Sequence, residues 1–383
     1  MLSEYVDFRE ALNEVQKLYA CALYKCESNN RDCVEKLTLE YKAYQKNLEK
    51  RYLAIPDLSE PDDQWINFED IIHAAPQATI QCHALNEDSL PDKMTGAIIG
   101  RLSGCILGVP VESWSSDDIH DMAMQFGDSF PPTNYWSNVY YPSRFLHHGW
   151  AKKSEYTRLG MNEAPVDDDT GFTILDLLVL EKYGADFQTS DIANIWKEHL
   201  PFAHTTEDIA LKNIKDGLPI QDIAIDGNPY TEWIGGYIRS DGWAWSCPGN
   251  PRKAAEFAWR DAFLTHRKNG MYGEIFFSAV EAAAFTEDSI DDLIKIGLQY
   301  IPQNCRLAKD VRWVLSQKNN VRTWRDAVEL VTQRFQGMAR VHTNNNACLV
   351  LFGLFLGKKD LTKTIGTVVA MGYDTDCNAA TAG

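Results

Sequence analysis

At 383 residues the chain exceeds one average domain, which fits one large domain with an appendage. Hydrophobic side chains make up 45 % of it, enough for a real core and too many for a disordered chain. With 54 acidic against 37 basic residues the formal net charge is −17, which excludes general nucleic-acid binding through a basic surface and demands local cations wherever an anionic substrate sits.

The first residues, Met1-Leu2-Ser3-Glu4-Tyr5, are acidic and polar and do not make a secretory leader. No apolar run is expected to be long enough to cross a bilayer. The nine cysteines include no Cys-x-x-Cys pair, so Cys21, Cys26 and Cys33 are not expected to hold zinc. They read as reduced thiols of a cytoplasmic protein.

Helical spacing runs through residues 4–26, carried by Val6, Leu12, Val15, Leu18, Tyr19 and Ala22. It runs again through 31–53, carried by Val34, Leu37, Tyr41, Tyr44, Leu48 and Tyr52. With a Glu27-Ser28-Asn29-Asn30 turn between them, these predict an N-terminal helical hairpin over residues 1–60, closed by a linker bearing Pro56 and Pro61. Its apolar stripe needs a cover, either the main domain or a protein partner. A short helix is predicted at Asn67–Ala74, and residues 61–383 form the main domain.

After Leu90-Pro91-Asp92, Gly96, Gly100, Gly104 and Gly108 recur every fourth residue. On a helix they make one bare stripe that lets another backbone approach closely. Packing of a buried central helix is the expected use. Residues 115–165, rich in Pro, Gly, Ser, Tyr and Trp, predict a long irregular loop near the site. Helices are then predicted at 170–183, 189–199, 205–216, 251–268, 273–285, 289–299, 304–316, 323–336, 345–356 and 361–371. Strand-like alternation is scarce, so the fold class is all-α.

Two acidic knots stand out. Asp167-Asp168-Asp169-Thr170 opens an apolar helix that ends at Lys182-Tyr183-Gly184. Asp374-Thr375-Asp376 follows a Gly372-Tyr373 break. Acids in a first turn suit the helix dipole, which accounts for one or two of them but poorly for three in a row. Two such clusters in one core need a cation between them, and carboxylate oxygens are what hard divalent ions prefer. The second knot is no calcium loop, because Ala379 stands where such a loop needs glycine.

Gly96-Ala97-Ile98-Ile99-Gly100 through Gly104 and Leu107-Gly108-Val109-Pro110-Val111-Glu112 resembles the opening motif of the ADP-ribosylglycohydrolases. Asp168-Asp169-Thr170 looks like their Asp-Asp-Thr motif, and Gly372-Tyr373-Asp374-Thr375-Asp376 is similar to their Gly-Gly-Asp-Thr-Asp motif. Ala262-Phe263-Leu264-Thr265-His266 with Asn269-Gly270 falls where that family carries a Thr-His segment. The resemblance covers about residues 91–383. Trp233-Ile234-Gly235-Gly236-Tyr237-Ile238-Arg239 resembles a larger bacterial-type branch. There are departures: Asp167 stands where the family has Thr, Cys377 where it has a hydroxyl ligand, and Cys105 where Asp is common. The family also continues past its last motif, so the chain reads as shortened or divergent at Gly383.

The resemblance implies a compact multi-helix domain with a metal cleft, and a hydrolase that releases ADP-ribose by cutting the ribose C1″ glycosidic bond. It implies two Mg²⁺ ions, with Mn²⁺ as alternative, on Asp167, Asp168, Asp169, Asp374 and Asp376. Glu112 and Asp168 are the implied catalytic residues; by sequence alone Glu112 reads as a surface acid. His266, Asn269, Gly270 and Asn345 are the implied substrate contacts. Residue by residue, a partly exposed helix end for His266 and helix capping by Asn344-Asn345-Asn346 are the stronger alternatives. The Ser246-Cys247-Pro248-Gly249-Asn250 loop is a candidate diphosphate cradle through its backbone amides. The expected partner is an ADP-ribosylated protein or other acceptor, with no membrane. A non-catalytic ADP-ribose binder or immunity-type protein is the rival function. A phosphate-ester metallohydrolase is disfavoured by the lack of histidine in the knots.

Overall fold

The computed structural model describes residues 61–77, 80–140, 146–147 and 151–383. The predicted hairpin at 1–60 lies outside the described residues. Residues 59–332 with 340–383 form one compact unit.

The described residues are all-α, as expected. In order the helices are α1 (Phe68–Ala74), α2 (Leu90–Gly108), α3 (Ser116–Phe126), α4 (Asp168–Tyr183), α5 (Thr189–His199), α6 (Thr205–Lys215), α7 (Ile220–Ile223) and α8 (Ser240–Trp245). Then come α9 (Pro251–Thr265), α10 (Lys268–Ala284), α11 (Ile290–Leu298), α12 (Arg306–Gln317), α13 (Trp324–Arg334), α14 (Thr343–Gly357), α15 (Leu361–Ala370) and α16 (Thr375–Ala382). The extended structure among them is a two-residue antiparallel pairing, Leu146 opposite Lys152 and His147 opposite Ala151.

The core is built on α10 and α14. Both are buried nearly all round, polar positions included, the pattern of a helix wrapped by others rather than lying on a surface. Residues 269–280 and 343–353 are buried without interruption. Helix α10 packs on α8, α9, α11 and α14. The predicted 251–268 helix breaks after Thr265, because Arg267 N donates to Thr231 O at 3.1 Å and Lys268 takes φ 53°. That turn sends the chain from α9 back along it as α10.

The glycine stripe is used, by a partner the sequence did not name. Added Cβ atoms at Gly100, Gly104 and Gly108 would overlap the backbone of Gly383, Ala379 and Thr375-Asp376 respectively. Helix α16 thus lies backbone against backbone on α2, and only glycine permits this. Gly96 faces open space, so the stripe works over its last three members. Nor is α2 wholly buried: Ile98 and Ile99 are 42 % and 53 % exposed.

Two expectations need correction. The helical span Glu87–Val111, 25 residues, is long and apolar enough by composition to cross a bilayer. Here it is a core helix: its glycine face is covered by α16, and its buried Arg101 donates to Asp241 Oδ2 at 2.6 Å. The 115–165 stretch is not irregular throughout. Ser115 caps α3 by accepting from Asp118 N at 3.1 Å, and Gly127 ends it at φ 73°.

Candidate metal centre

Three chain segments far apart in sequence converge at the ends of α2, α4 and α16. Gly108 ends α2 against the Asp376 backbone, and Thr375 Oγ1 donates to Gly108 O at 2.8 Å. A short 3₁₀ turn, Val109–Val111, then presents Glu112. Ser113 N donates to Tyr373 O at 2.9 Å, which ties the residue after Glu112 to the residue before Asp374. The break between α15 and α16 needs two left-handed residues, Gly372 at φ 72° and Tyr373 at φ 68°. At α4, Asp167 is the N-cap and accepts from Asp169 N at 2.9 Å. Tyr156, buried on Cys105, Val109 and Ala380, donates to Val166 O at 2.9 Å and so holds the entry to that knot.

The result is a carboxylate-lined centre. Ligand atoms lie within 4.8 Å of one another in three groups: Cys105 with Asp167 and Asp169, Asp169 with Asp376 and Cys377, and Glu112 with Asp374 and Asp376. The shared members, Asp169 and Asp376, join the three into one chain of sites. Asp168, half-buried at the first residue of α4, belongs to none of them. Its charge still acts on Asp169, Asp374 and Cys377.

Packing these carboxylates together in the core shifts their acidities. Desolvation first, and then Asp167, hold Asp169 well above the ordinary carboxylate range, against the opposing pull of Arg101. Desolvation, Glu112 and Asp374 push Asp376 up as well. Asp374 is raised to about 6, by desolvation and then by Glu112. Both thiols, Cys105 and Cys377, are pushed up by burial and by the surrounding carboxylates. Neither oxygen of Asp169 accepts a hydrogen bond, although the residue is fully buried. Buried polar atoms are nearly always satisfied, so Asp169 marks a place for a ligand. The donor set fits divalent ions: carboxylates from opposed helix starts, with coordination capacity to spare.

Two protein cations flank the centre. Arg101 Nη2 lies 3.9 Å from Asp169 Oδ1, on the side turned into the core, and also donates to the Asp169 and Ile238 carbonyls. Lys153 Nζ donates to Pro110 O at 3.0 Å and acts on both Glu112 and Asp376. An apolar groove of about 460 Å³ between α2, α4 and α8, with Ile98, Ile174, Leu177 and Trp245 in its wall, contains none of these carboxylates among its lining residues.

None of the sequence-derived substrate contacts belongs to the three ligand groups. His266 is fully buried, not an exposed helix end. Its Nδ1 pairs with Thr265 Oγ1 at 2.7 Å, and desolvation and then Arg239 push its pKa well below the usual value. Asn269 Nδ2 donates to Glu232 Oε2 at 2.9 Å and its Oδ1 accepts from Leu307 N at 2.8 Å. A side chain at Gly270 would overlap Thr231 O. Asn345, 1 % exposed, accepts from Asn346 N at 2.8 Å. All four are buried. The diphosphate cradle expected at 246–250 is a correction: the amides of Ser246, Cys247, Gly249 and Asn250 donate to Gly242, Ala244, Ala282 and Cys247 carbonyls, so none faces a ligand.

Sequence reading passed over the amides that hold the second knot. Asn346 Oδ1 accepts from Asn378 Nδ2 at 2.8 Å and from Asp374 N at 3.4 Å. Tyr237 donates its hydroxyl proton to Asn378 Oδ1. The one signal was the run of three asparagines before an apolar helix, which capping already explained.

Against known proteins, the chain matches the family described as ADP-ribosylglycohydrolase over residues 86–383. No curated protein matches it. The chain belongs to the ADP-ribosylglycohydrolase family: it is a glycosidic-bond hydrolase, of a metal-dependent family that acts on ADP-ribosylated substrates.

Proposed function

We propose that this ADP-ribosylglycohydrolase-family enzyme releases ADP-ribose from a modified acceptor with the help of Mg²⁺. The observation that carries it is Asp169, a fully buried carboxylate with no hydrogen bond to either oxygen, placed where Asp167, Asp374, Asp376 and Glu112 converge. Asp167, Asp169, Asp374 and Asp376, with Asp168 at the lip, would hold two ions. When bound, these supply positive charge for the ribose hydroxyls and help orient the attacking water.

The remaining steps fall to the chain's own groups. Glu112 is the proposed general base. It is held from both sides, by Lys153 on Pro110 O and by Tyr373 O on Ser113 N. As water adds to C1″ and the bond to the acceptor breaks, Glu112 takes the water's proton and releases it to solvent, and the leaving group takes up one proton from solvent. Asp168, half-buried and nearest to solvent among the knot's acids, is the proposed contact for a ribose hydroxyl.

The test is a panel of ADP-ribosylated acceptors (arginine-linked, serine-linked, nucleic-acid ends and small metabolites) with Mg²⁺ and with excess chelator. Release of ADP-ribose from at least one acceptor, lost in chelator, is expected. Glu112→Gln should keep ADP-ribose binding while turnover falls about 10²–10⁴-fold. Full activity in chelator would overturn the metal assignment. Binding of ADP-ribose with no turnover on any acceptor would leave a non-catalytic binder.

A further inference from the structure

The centre is not made of oxygen alone. Cys105 reaches it from α2 and Cys377 from α16, and they are 1 % and 9 % exposed. Each thiol sulfur lies within 4.8 Å of two carboxylate oxygens: Cys105 of Asp167 and Asp169, Cys377 of Asp169 and Asp376. Metal–sulfur bonds of about 2.3 Å and metal–oxygen bonds of about 2.1 Å keep the ligand atoms of one ion within about 4.4 Å of each other, so this is close to ligand spacing. Asp169 belongs to both groups, and neither of its oxygens accepts a hydrogen bond. Its coordination capacity is therefore unused at the point where the two sulfurs approach it. The group of Glu112, Asp374 and Asp376 has no sulfur.

We infer that the centre has two chemically different ends: an oxygen end at Glu112, Asp374 and Asp376, and a sulfur-bearing end around Asp169, where two thiol–carboxylate sites, Cys105 with Asp167 and Asp169 and Cys377 with Asp169 and Asp376, each take a borderline-soft divalent ion through a thiolate. Ions of the Zn²⁺ and Co²⁺ kind accept sulfur, and Mg²⁺ does not. Each metal–sulfur bond forms as an S–H bond breaks, and one proton per thiol passes to solvent. The inference rests on the metal-centre reading above and adds the ligand class. A soft ion at this end would compete with Mg²⁺ for Asp169 and Asp376.

The experiment uses the full chain, stripped by chelator and titrated with Co²⁺ alone. A near-ultraviolet sulfur-to-cobalt charge-transfer band is expected. It should weaken in Cys105→Ser and in Cys377→Ser and vanish in the double variant. X-ray absorption of the wild-type chain loaded with Zn²⁺ should show sulfur at about 2.3 Å, a readout that needs no variant to fold. Co²⁺ binding with no such band, and zinc with oxygen neighbours only, would overturn the inference while the carboxylate centre stands. A full band in either single variant would overturn the two-thiol assignment. No calorimetric binding of Mg²⁺ or Co²⁺ would sink the metal centre itself.

Discussion

Two buried, carboxylate-rich regions of this molecule solve the same electrostatic problem in opposite ways. Around Arg239 the protein supplies its own cation. That guanidinium uses all five donors: to Asp261 at 2.8 Å, Glu207 at 2.6 Å, Gly235 O at 2.7 Å, Thr265 at 2.7 Å and Glu274 at 3.4 Å. It lies against the packed Phe172 and Trp196 rings, 5.4 and 5.2 Å from their centroids. At the candidate metal centre Arg101 spends its bonds on Asp241 and on the Asp169 and Ile238 carbonyls and stands 3.9 Å from the Asp169 carboxylate. The first region carries a fully engaged internal cation although single oxygens of Asp261, Glu274 and Asp176 stay unbonded, whereas in the second both oxygens of Asp169 stay unbonded, with no cation among the described residues in direct contact with them.

The two regions should therefore answer mutation with opposite signs. Asp376→Asn is expected to abolish turnover, yet to leave the metal-free protein as stable as before or more so, because it removes one of several repelling carboxylates. Arg239→Met is expected to cost about 3–5 kcal/mol in urea unfolding, since it strands buried carboxylates that have no other cation. Equal destabilisation by both would erase the distinction between the regions.

A pH titration sharpens the contrast. At the centre the folded-state pKa of Asp374 is raised to about 6, and those of Asp169 and Asp376 are raised well above the usual value. A raised carboxyl pKa means that the folded state binds protons more tightly than the unfolded chain. The associated stability is present below the unfolded value of about 3.9 and is lost as pH rises through the folded value. The metal-free protein should thus lose stability between about pH 4 and pH 6 from Asp374, and further above that from Asp169 and Asp376. Saturating divalent ion should flatten that slope, read as melting temperature against pH with and without metal. Glu207, raised to about 7 by desolvation despite Arg239, gives the other region a slope that metal cannot remove.

This difference was only half legible in the sequence. The knots announced themselves because three consecutive acids exceed what a helix start can use, and their register with the glycine stripe named the family. Helix positions were readable where apolar spacing was strong: 189–199 matches α5 from Thr189 to His199. The α9–α10 break was not, since it depends on Arg267 reaching Thr231, 36 residues earlier in the chain. The same holds for the counter-charges. Nothing local distinguishes Arg239, which anchors several carboxylates, from Arg267, which donates to the Phe263 and Gln221 carbonyls. Lys153 was invisible for that reason too: it sits in a segment expected to be irregular, and its meaning comes from Pro110, 43 residues away.

Lys153 is where the comparison is most finely balanced, and it gives the smallest predicted effect. Like Arg239 it is a cation beside buried acids; unlike Arg239 it is partly exposed and commits a bond to the backbone that carries Glu112. Its charge and a bound divalent ion offset the same carboxylates, so with metal present its electrostatic part is redundant. Its grip on Pro110 is not. Lys153→Met is therefore expected to lower the stability of the metal-free protein slightly, by about 1 kcal/mol or less given solvent screening, and that of the metal-loaded protein by less, since only the bond to Pro110 O is lost there. In the loaded enzyme kcat should fall about tenfold, the size of one charged hydrogen bond of about 1.5 kcal/mol, with KM nearly constant, and Lys153→Arg should recover most of it. A rise in KM with kcat intact would show instead that the ammonium holds the anionic substrate rather than Glu112. A loss of stability equal in the loaded and metal-free forms would place Lys153 with Arg239, among the cations that keep the fold.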